Sequence, residues 1–211
     1  MKTDDLIRAL AADTQRGPDL RMMLLAGLLP ALGLAAVAVW SVLGFRVDLG
    51  AAMLTPVSAA RILLTGILGI AASRLALLLA RPEGGHTARL WPLAAVAAAA
   101  LGLLAWAYQT TPDEARQMAT VGKTMTTCLV AIPLLSILPV GMLHYTLRQG
   151  AVTAPLRAGF VAGLAGSGLS AAIYALHCTE DSPLFYVTWY GLAIAGVTLV
   201  STMIGARSLR W

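Results

Sequence analysis

Charged residues are scarce in this sequence, and their scarcity is the first guide to the class of protein. Only 12% of the 211 residues are charged, 58% are hydrophobic, and the mean hydropathy is +0.77. A soluble domain of this length needs far more charge to cover its surface, so the composition indicates a chain embedded in a lipid bilayer. The net charge of +5 comes from basic residues scattered beside apolar runs, a pattern that favours topology signals over direct nucleic-acid binding.

The residues that catalysis and transport usually require are also missing. The sequence has no phosphate-binding glycine loop, no HExxH zinc motif and no nucleophile elbow. No Asp or Glu lies in the middle of an apolar segment, where a proton-coupled transporter would bury one. Two cysteines are too few for a disulfide scaffold or for a thiol oxidoreductase that reduces quinone through two cysteine pairs. We therefore expect neither an enzyme nor an obligatory cofactor, and a small metal or solute transporter of the inner membrane is the alternative function.

What the sequence does contain is a series of long apolar segments. Each is close to the roughly 20 residues that an α-helix needs to cross a bilayer. The segments lie at about 22–44, 60–80, 90–108, 124–146, 157–176 and 185–206. Pro30, Pro133 and Pro139 lie inside them, and membrane helices tolerate such prolines as kinks. The sequence therefore predicts an all-α integral membrane protein, with a six-helix transmembrane bundle over residues 21–211.

Small residues form a stripe along the fifth apolar segment. Gly159, Gly163 and Ser167 recur every four residues, so one face of the predicted helix can approach another helix closely. We interpret this stripe as packing within the bundle rather than as a dimer contact. Whether the protein forms a homo-oligomer is left open by the sequence.

Basic residues are distributed unevenly between the two ends of these segments. If the N-terminus is cytoplasmic, the inner side holds Lys2, Arg8, Arg16, Arg21, Arg81, Arg89, Arg148, Arg157, Arg207 and Arg210. The outer side then holds Arg46, Arg61, Arg116 and Lys123. An excess of Lys and Arg marks the cytoplasmic side of membrane proteins. We therefore predict a multi-pass protein of a bacterial inner membrane with both termini in the cytoplasm.

The first twenty residues form a separate polar segment with the pattern of a short amphipathic helix. Asp4 and Asp5 fall in its first turn, where the helix dipole favours acids, and Leu6, Ile7 and Leu10 line one face. A helix this short is marginal alone in water, so it is expected to fold against something. It can lie on the membrane or dock into a groove of a cytosolic partner. The acids disfavour adsorption to anionic lipid and favour the partner.

One polar stretch, HCTEDSPLFYVTWYG at residues 177–191, separates the last two apolar segments. The predicted topology places its start, with His177 and Cys178, in an outer loop. Cys128 falls about one turn into the fourth segment from the same side. Basic residues alone indicate this orientation, yet it also places both cysteines at the outer face.

Two thiols at an oxidising face can form a disulfide, bind a soft metal such as copper or zinc, or pack as small hydrophobes. His177 adds an imidazole but is a weaker candidate ligand, because adjacent side chains need a turn to converge on one ion. Glu180 and Asp181 precede Pro183 and fit a helix-start signal better than a ligand set. The residues alone leave these alternatives open.

Several stretches of the chain resemble a known family. They are CLVAIPLLSILPV from Cys128, LRQGAVTAPLRAG, SAAIYALHCTEDSPLFYVTWYG, and the N-terminal MKTDDLIRALAAD. Together they resemble the NrsF family, negative regulators of sigma F, which are membrane anti-sigma factors. The resemblance covers the termini and residues of about 122–207, whereas the first three apolar segments match in hydropathy alone.

The resemblance implies a partner and an input signal. It implies that residues 1–20 sequester an extracytoplasmic-function sigma factor away from RNA polymerase, with Asp4, Asp5, Leu6, Ile7 and Leu10 as the sigma-factor-binding residues. It also implies that Cys128 and Cys178 respond to heavy metal or oxidative stress. The expected function is therefore a membrane-embedded anti-sigma factor that releases its partner when these cysteines, with His177 as a weaker third residue, sense the stress.

Overall fold

The structure is a computed structural model that describes residues 3, 5 and 7 and the continuous stretch 19–210. All regular secondary structure within these residues is helical. The helices are α1 (Leu20–Ala38, continued by a π-helical turn at Val39–Leu43), α2 (Leu49–Leu54), α3 (Pro56–Leu79), α4 (Gly84–Thr87), α5 (Trp91–Thr110), α6 (Asp113–Val121), α7 (Met125–Arg148), α8 (Pro155–Tyr174) and α9 (Pro183–Ser208).

Among the residues that the structure describes, six helical segments are long and apolar enough to cross a membrane. They are Leu20–Leu43, Pro56–Leu79, Gly84–Thr110, Asp113–Arg148, Pro155–Tyr174 and Pro183–Ser208. This confirms the prediction of an all-α chain with six apolar spans. The short helix α6 carries Asp113 and Glu114 in its first turn, where the helix dipole favours acids.

Local sequence signals explain where several helices begin. Proline occupies the first helical position of α3, α8 and α9, where its missing N–H costs no hydrogen bond. The side chain of Asp19 caps α1 by accepting a hydrogen bond from the backbone N–H of Arg21 at 3.0 Å. At its other end, α1 stops after the π-helical turn at Gly44, which adopts a φ of +76° that favours glycine.

Helix α8 is the centre of the bundle and packs against α3, α7 and α9. Its small residues allow this crowding: a Cβ at Gly163 would lie 2.6 Å from the Cα of Thr198 in α9, and one at Gly168 would lie 3.0 Å from the backbone nitrogen of Gly69 in α3. The stripe predicted from Gly159, Gly163 and Ser167 is buried within the bundle, which confirms that it packs inside the chain.

Candidate functional site

The two cysteines meet at one end of the bundle, which we call the cysteine end. Cys128 lies in the first turn of α7, and Cys178 lies in the connection 175–182 between α8 and α9. Both side chains are completely buried and both thiols are free. The Cys128 thiol lies beside that of Cys178 and donates a hydrogen bond to the hydroxyl of Tyr174. The structure thus brings together two residues that are separated by most of α7 and all of α8.

Aromatic and hydroxyl groups surround these thiols, and together with them form what we call the thiol cluster: Cys128, Cys178, Tyr174, Tyr190 and Thr124. The sulfur of Cys128 lies 3.4 Å from the hydroxyl oxygen of Tyr174, and the Thr124 hydroxyl lies 3.9 Å from the sulfur of Cys178. The rings of Tyr174 and Tyr190 pack with their centroids 5.7 Å apart. The cluster is therefore closed to bulk water and rich in groups that can donate to a thiolate.

These surroundings favour the ionised form of one thiol. The neighbouring Cys128 thiol lowers the pKa of Cys178 below its ordinary value, and this effect outweighs burial, which acts in the opposite direction. The backbone at Glu180, the nearby Tyr190 hydroxyl and the charge of Arg61 act in the same direction as Cys128. The surroundings of Cys178 thus favour its thiolate, the form that reacts with oxidants and binds metals.

A network of arginine and aspartate side chains holds the connection that carries Cys178. Arg46 is buried and forms ion pairs with Asp48 and Asp181, both at 2.8 Å. It also donates to the backbone carbonyl of Cys178 at 3.3 Å. The two carboxylates raise the pKa of Arg46 further above its already high ordinary value, so this side chain is always charged. We call Arg46, Arg61, Asp48, Asp181 and Ser58 the arginine–aspartate network.

Arg61 is the most deeply buried charge of this network, with 1% of its surface exposed. It lies in the second turn of α3 and donates to the carbonyl oxygens of Glu180 at 2.5 Å and Ala175 at 3.2 Å. One guanidinium nitrogen lies 3.6 Å from Asp181. A charge in such a place is stable only when it is paired and hydrogen-bonded. Arg61 therefore ties α3 to both ends of the connection around Cys178.

The remaining polar residues of the stretch have structural partners. The Nδ1 atom of His177 hydrogen-bonds the carbonyl of Gly44 at 2.8 Å, so this ring fixes the end of the π-helical turn. Glu180 accepts a hydrogen bond from the backbone N–H of Lys123 at 2.7 Å. Helix α9 begins at Pro183, directly after Glu180, Asp181 and Ser182, which confirms the predicted helix-start signal. The side chain of Ser182 makes no capping hydrogen bond, and Asp181 also pairs with the buried Arg46.

The thiol cluster offers two sulfur ligands and little else for a metal. No group of three His, Cys, Asp or Glu side chains comes together within residues 3, 5, 7 and 19–210. Met125 packs against the apolar core that contains both cysteines. Two thiolates suit a soft ion of low coordination number, such as copper(I), better than zinc, which takes four ligands in structural sites.

Sequence reasoning missed the arginine–aspartate network and the tyrosines. The sequence indicates Arg46 and Arg61 as topology signals alone, and it does not distinguish Tyr174 and Tyr190 from other apolar-segment residues. A signal was available for Arg61. Arg61 follows Pro56 by five residues, which places it inside the helix rather than before it, and a charge inside a span calls for a partner.

The N-terminal predictions lie mostly outside the described residues. Asp4, Leu6 and Leu10 belong to that undescribed part of the chain. Asp5 and Ile7 have helical backbone and are exposed, Ile7 with 57% of its surface accessible. An accessible apolar side chain on a helix agrees with the predicted amphipathic segment, although its role in binding stays a prediction.

Comparison with known proteins places these features in a family. The family model described as "Negative regulator of sigma F" matches residues 10–211. The chain belongs to the NrsF family. A protein of Caulobacter vibrioides named "Anti-sigma-F factor NrsF" is 38% identical, with both chains covered in full. A protein of Azospira oryzae named "Probable anti-sigma-F factor NrsF" is 30% identical, again over the full length of both. No solved structure matches the chain.

Proposed function

We propose that the protein is a membrane anti-sigma factor that holds an extracytoplasmic-function sigma factor through residues 1–20 and releases it when the thiol cluster is oxidised or binds metal. Membership of the NrsF family over residues 10–211 carries the regulatory part of this proposal. The full-length relative named as an anti-sigma factor supports it. These names describe a regulator, so they favour this function over the transporter.

The binding segment of this proposal is the N-terminal helix. Exposed Ile7 fits a surface that is completed by a partner, and Leu6 and Leu10 would continue its apolar face at helical spacing. The segment directly precedes α1, so a displacement of α1 can change how accessible the N-terminal helix is to the sigma factor. In this proposal residues 1–20 are the cytosolic unit and residues 21–211 are the sensor.

The input part of the proposal rests on the chemistry of the thiol cluster. A thiolate at Cys178 beside the thiol of Cys128 can lose two electrons to an oxidant and form a disulfide, or both sulfurs can bind one soft metal ion. His177 is no longer the third ligand that we favour, because its ring already bonds Gly44. The cysteine end then faces the periplasm, which agrees with the excess of basic residues at the opposite end.

A path for the signal runs along α7. This helix carries Cys128 near one end and packs against α1. Nearer its other end, the side chain of Met142 lies against Gly27 of α1, in space that a Cβ on Gly27 would fill. Pro133 and Pro139 remove two backbone donors between these points and give α7 a place to bend. Formation of a disulfide between the two cysteines, or their binding of one metal ion, would therefore move α1 and the segment before it.

Co-purification tests the function. The full chain is co-expressed with each extracytoplasmic-function sigma factor of the source organism and isolated from membranes. We expect the wild type to retain one of them, and the double substitution Leu6→Asp/Leu10→Asp to lose it, because two charges would enter an apolar interface. Ala12→Asp serves as a control, since helical spacing from Leu6, Ile7 and Leu10 puts position 12 on the opposite side from the apolar face. Failure of the wild type to retain any of these sigma factors refutes the proposal.

A further inference from the structure

The turn that follows α1 is bonded directly to the connection that carries Cys178. The backbone N–H of Arg46 donates to the carbonyl of Leu176 at 3.1 Å, and the guanidinium of the same residue donates to the carbonyl of Cys178 at 3.3 Å. The ring of His177 donates from Nδ1 to the carbonyl of Gly44 at 2.8 Å. Three consecutive residues of the connection are thus tied to the end of α1, and we call these three bonds the α1 latch.

Helices α1 and α7 are packed closely at one end and stand apart at the other. Away from the thiols, the side chain of Met142 occupies the space beside Gly27. At the cysteine end, an open apolar groove of about 500 Å³ separates the π-helical turn of α1 from the first turns of α7, with Val42 on one wall and Val130 and Leu134 on the other. The end of α1 that carries the latch therefore has room to move towards α7.

Formation of a disulfide would displace the connection in that direction. An S–S bond is about 2.05 Å long, much shorter than the contact between two non-bonded sulfurs. Cys128 is fixed in the first turn of α7, whereas Cys178 lies in the connection, which forms no helix. Arg61 holds this connection at Ala175 and Glu180, on either side of the latch. The movement therefore falls on the three latch residues between them, and the end of α1 that is bonded to them follows.

We propose that the α1 latch closes the groove between α1 and α7 when the two cysteines form a disulfide. In that step the two thiols lose two electrons and two protons to a small disulfide such as oxidised glutathione, which becomes two thiols. The end of α1 follows Cys178 towards Cys128, and Val42 approaches Leu134. The inference rests on the oxidation step of the proposed function, and it adds which helix moves and in which direction.

The equilibrium between the thiols and the disulfide tests the proposal in the absence of a sigma factor. The full-length protein in phospholipid nanodiscs is equilibrated with reduced and oxidised glutathione from both directions, and the disulfide is counted by mass spectrometry after free thiols are blocked in denaturant. Leu134→Trp fills the groove, so it should oppose closure and lower the equilibrium constant for disulfide formation about tenfold, the effect of overpacking. Leu138→Trp makes the same change one turn further along α7, at a similarly exposed side chain outside the groove, and should leave the constant unchanged.

Two more variants keep the test decisive. Ala38→Phe fills the groove from α1 and should reproduce the effect if Leu134→Trp does not fold. His177→Phe removes one bond of the latch and keeps a ring, so the groove variants should have a clearly smaller effect in this background.

Four results overturn the proposal: no disulfide in the wild type, no change in either groove variant, an equal change in Leu138→Trp, or the full effect in the His177→Phe background. Failure to retain a sigma factor would instead refute the proposed function and would leave the measured coupling between the thiols and the groove as it stands.

Discussion

Asp181 is the residue on which the connection around Cys178 depends most. Its carboxylate accepts hydrogen bonds from two nitrogens of Arg46, at 2.8 and 3.0 Å, and from the hydroxyl of Ser58 at 2.6 Å, and it lies 3.6 Å from Arg61. Asp181→Asn keeps the shape but removes the charge that compensates two buried arginines. Breaking a fully buried pair costs about 3–5 kcal/mol. The Asp181 side chain is 44% exposed, and solvent screens its charge. We therefore expect Asp181→Asn to lower the free energy of unfolding by about 2 kcal/mol.

The chain provides its own reporter for this measurement. Its two cysteines are both buried, so a thiol-reactive fluorescent dye labels them as the protein unfolds on heating. A loss of about 2 kcal/mol corresponds to a fall in melting temperature of about 4–8 °C for a chain of this size. Asp48→Asn is the matched control: Asp48 also bonds Arg46 at 2.8 Å, but its side chain is 60% exposed and does not contact Arg61. We expect a much smaller shift for this control.

The pH dependence gives an independent check of the same reasoning. Burial raises the pKa of Asp181, but hydrogen bonds from Arg46 and Ser58, with the charges of both arginines, lower it more, so the net pKa lies below 3.8. A carboxyl with a lowered pKa in the folded state stabilises above its unfolded pKa and loses that contribution as pH falls through the folded value. The melting-temperature difference between wild type and Asp181→Asn should therefore have its full size at neutral pH and become smaller below about pH 4. Equal shifts in Asp181→Asn and Asp48→Asn, or a difference that persists in acid, would refute the argument.

Two further predictions concern the α8 contact and the thiols. Gly163→Val forces side-chain atoms against the backbone of Thr198 and should destabilise the protein by about 1–3 kcal/mol, whereas Gly196→Val, on α9 with open space around it, should have little effect on the same dye-labelling melt. Cys128→Ala removes the neighbour that lowers the pKa of Cys178, so the pKa of Cys178, followed by the ultraviolet absorbance of its thiolate, should rise towards the ordinary value of 9.0. An unchanged pKa would show that Cys128 does not set the ionisation of Cys178.

The fold was largely predictable because its signals are local. Apolar length defines the spans, and the prolines at 56, 155 and 183 mark helix starts that depend on neighbouring residues alone. That Cys128 and Cys178 lie at the same face was also predictable, because almost two complete spans separate them along the chain. The distribution of basic residues indicates a membrane side, but it does not indicate side-chain partners.

The partners within the site could not be read from the sequence, because they depend on contacts between distant segments. Arg46 reaches Asp181 across 135 positions, and Arg61 reaches the carbonyl of Glu180 across 119. His177 was a reasonable ligand beside a cysteine, yet its ring bonds Gly44, 133 positions earlier. Residue type and spacing do not specify such pairs. They follow from how α3 and the end of α1 pack around the connection between α8 and α9.

The central claim is that the cysteine pair controls retention of the sigma factor. Its most direct test measures how much sigma factor remains bound to membrane-embedded protein before and after addition of copper(I) or a thiol oxidant. We predict that the wild type releases its partner, while Cys128→Ala/Cys178→Ala retains it in both conditions. If the double variant releases the sigma factor as completely as the wild type, the thiol cluster is not the input and the account is contradicted.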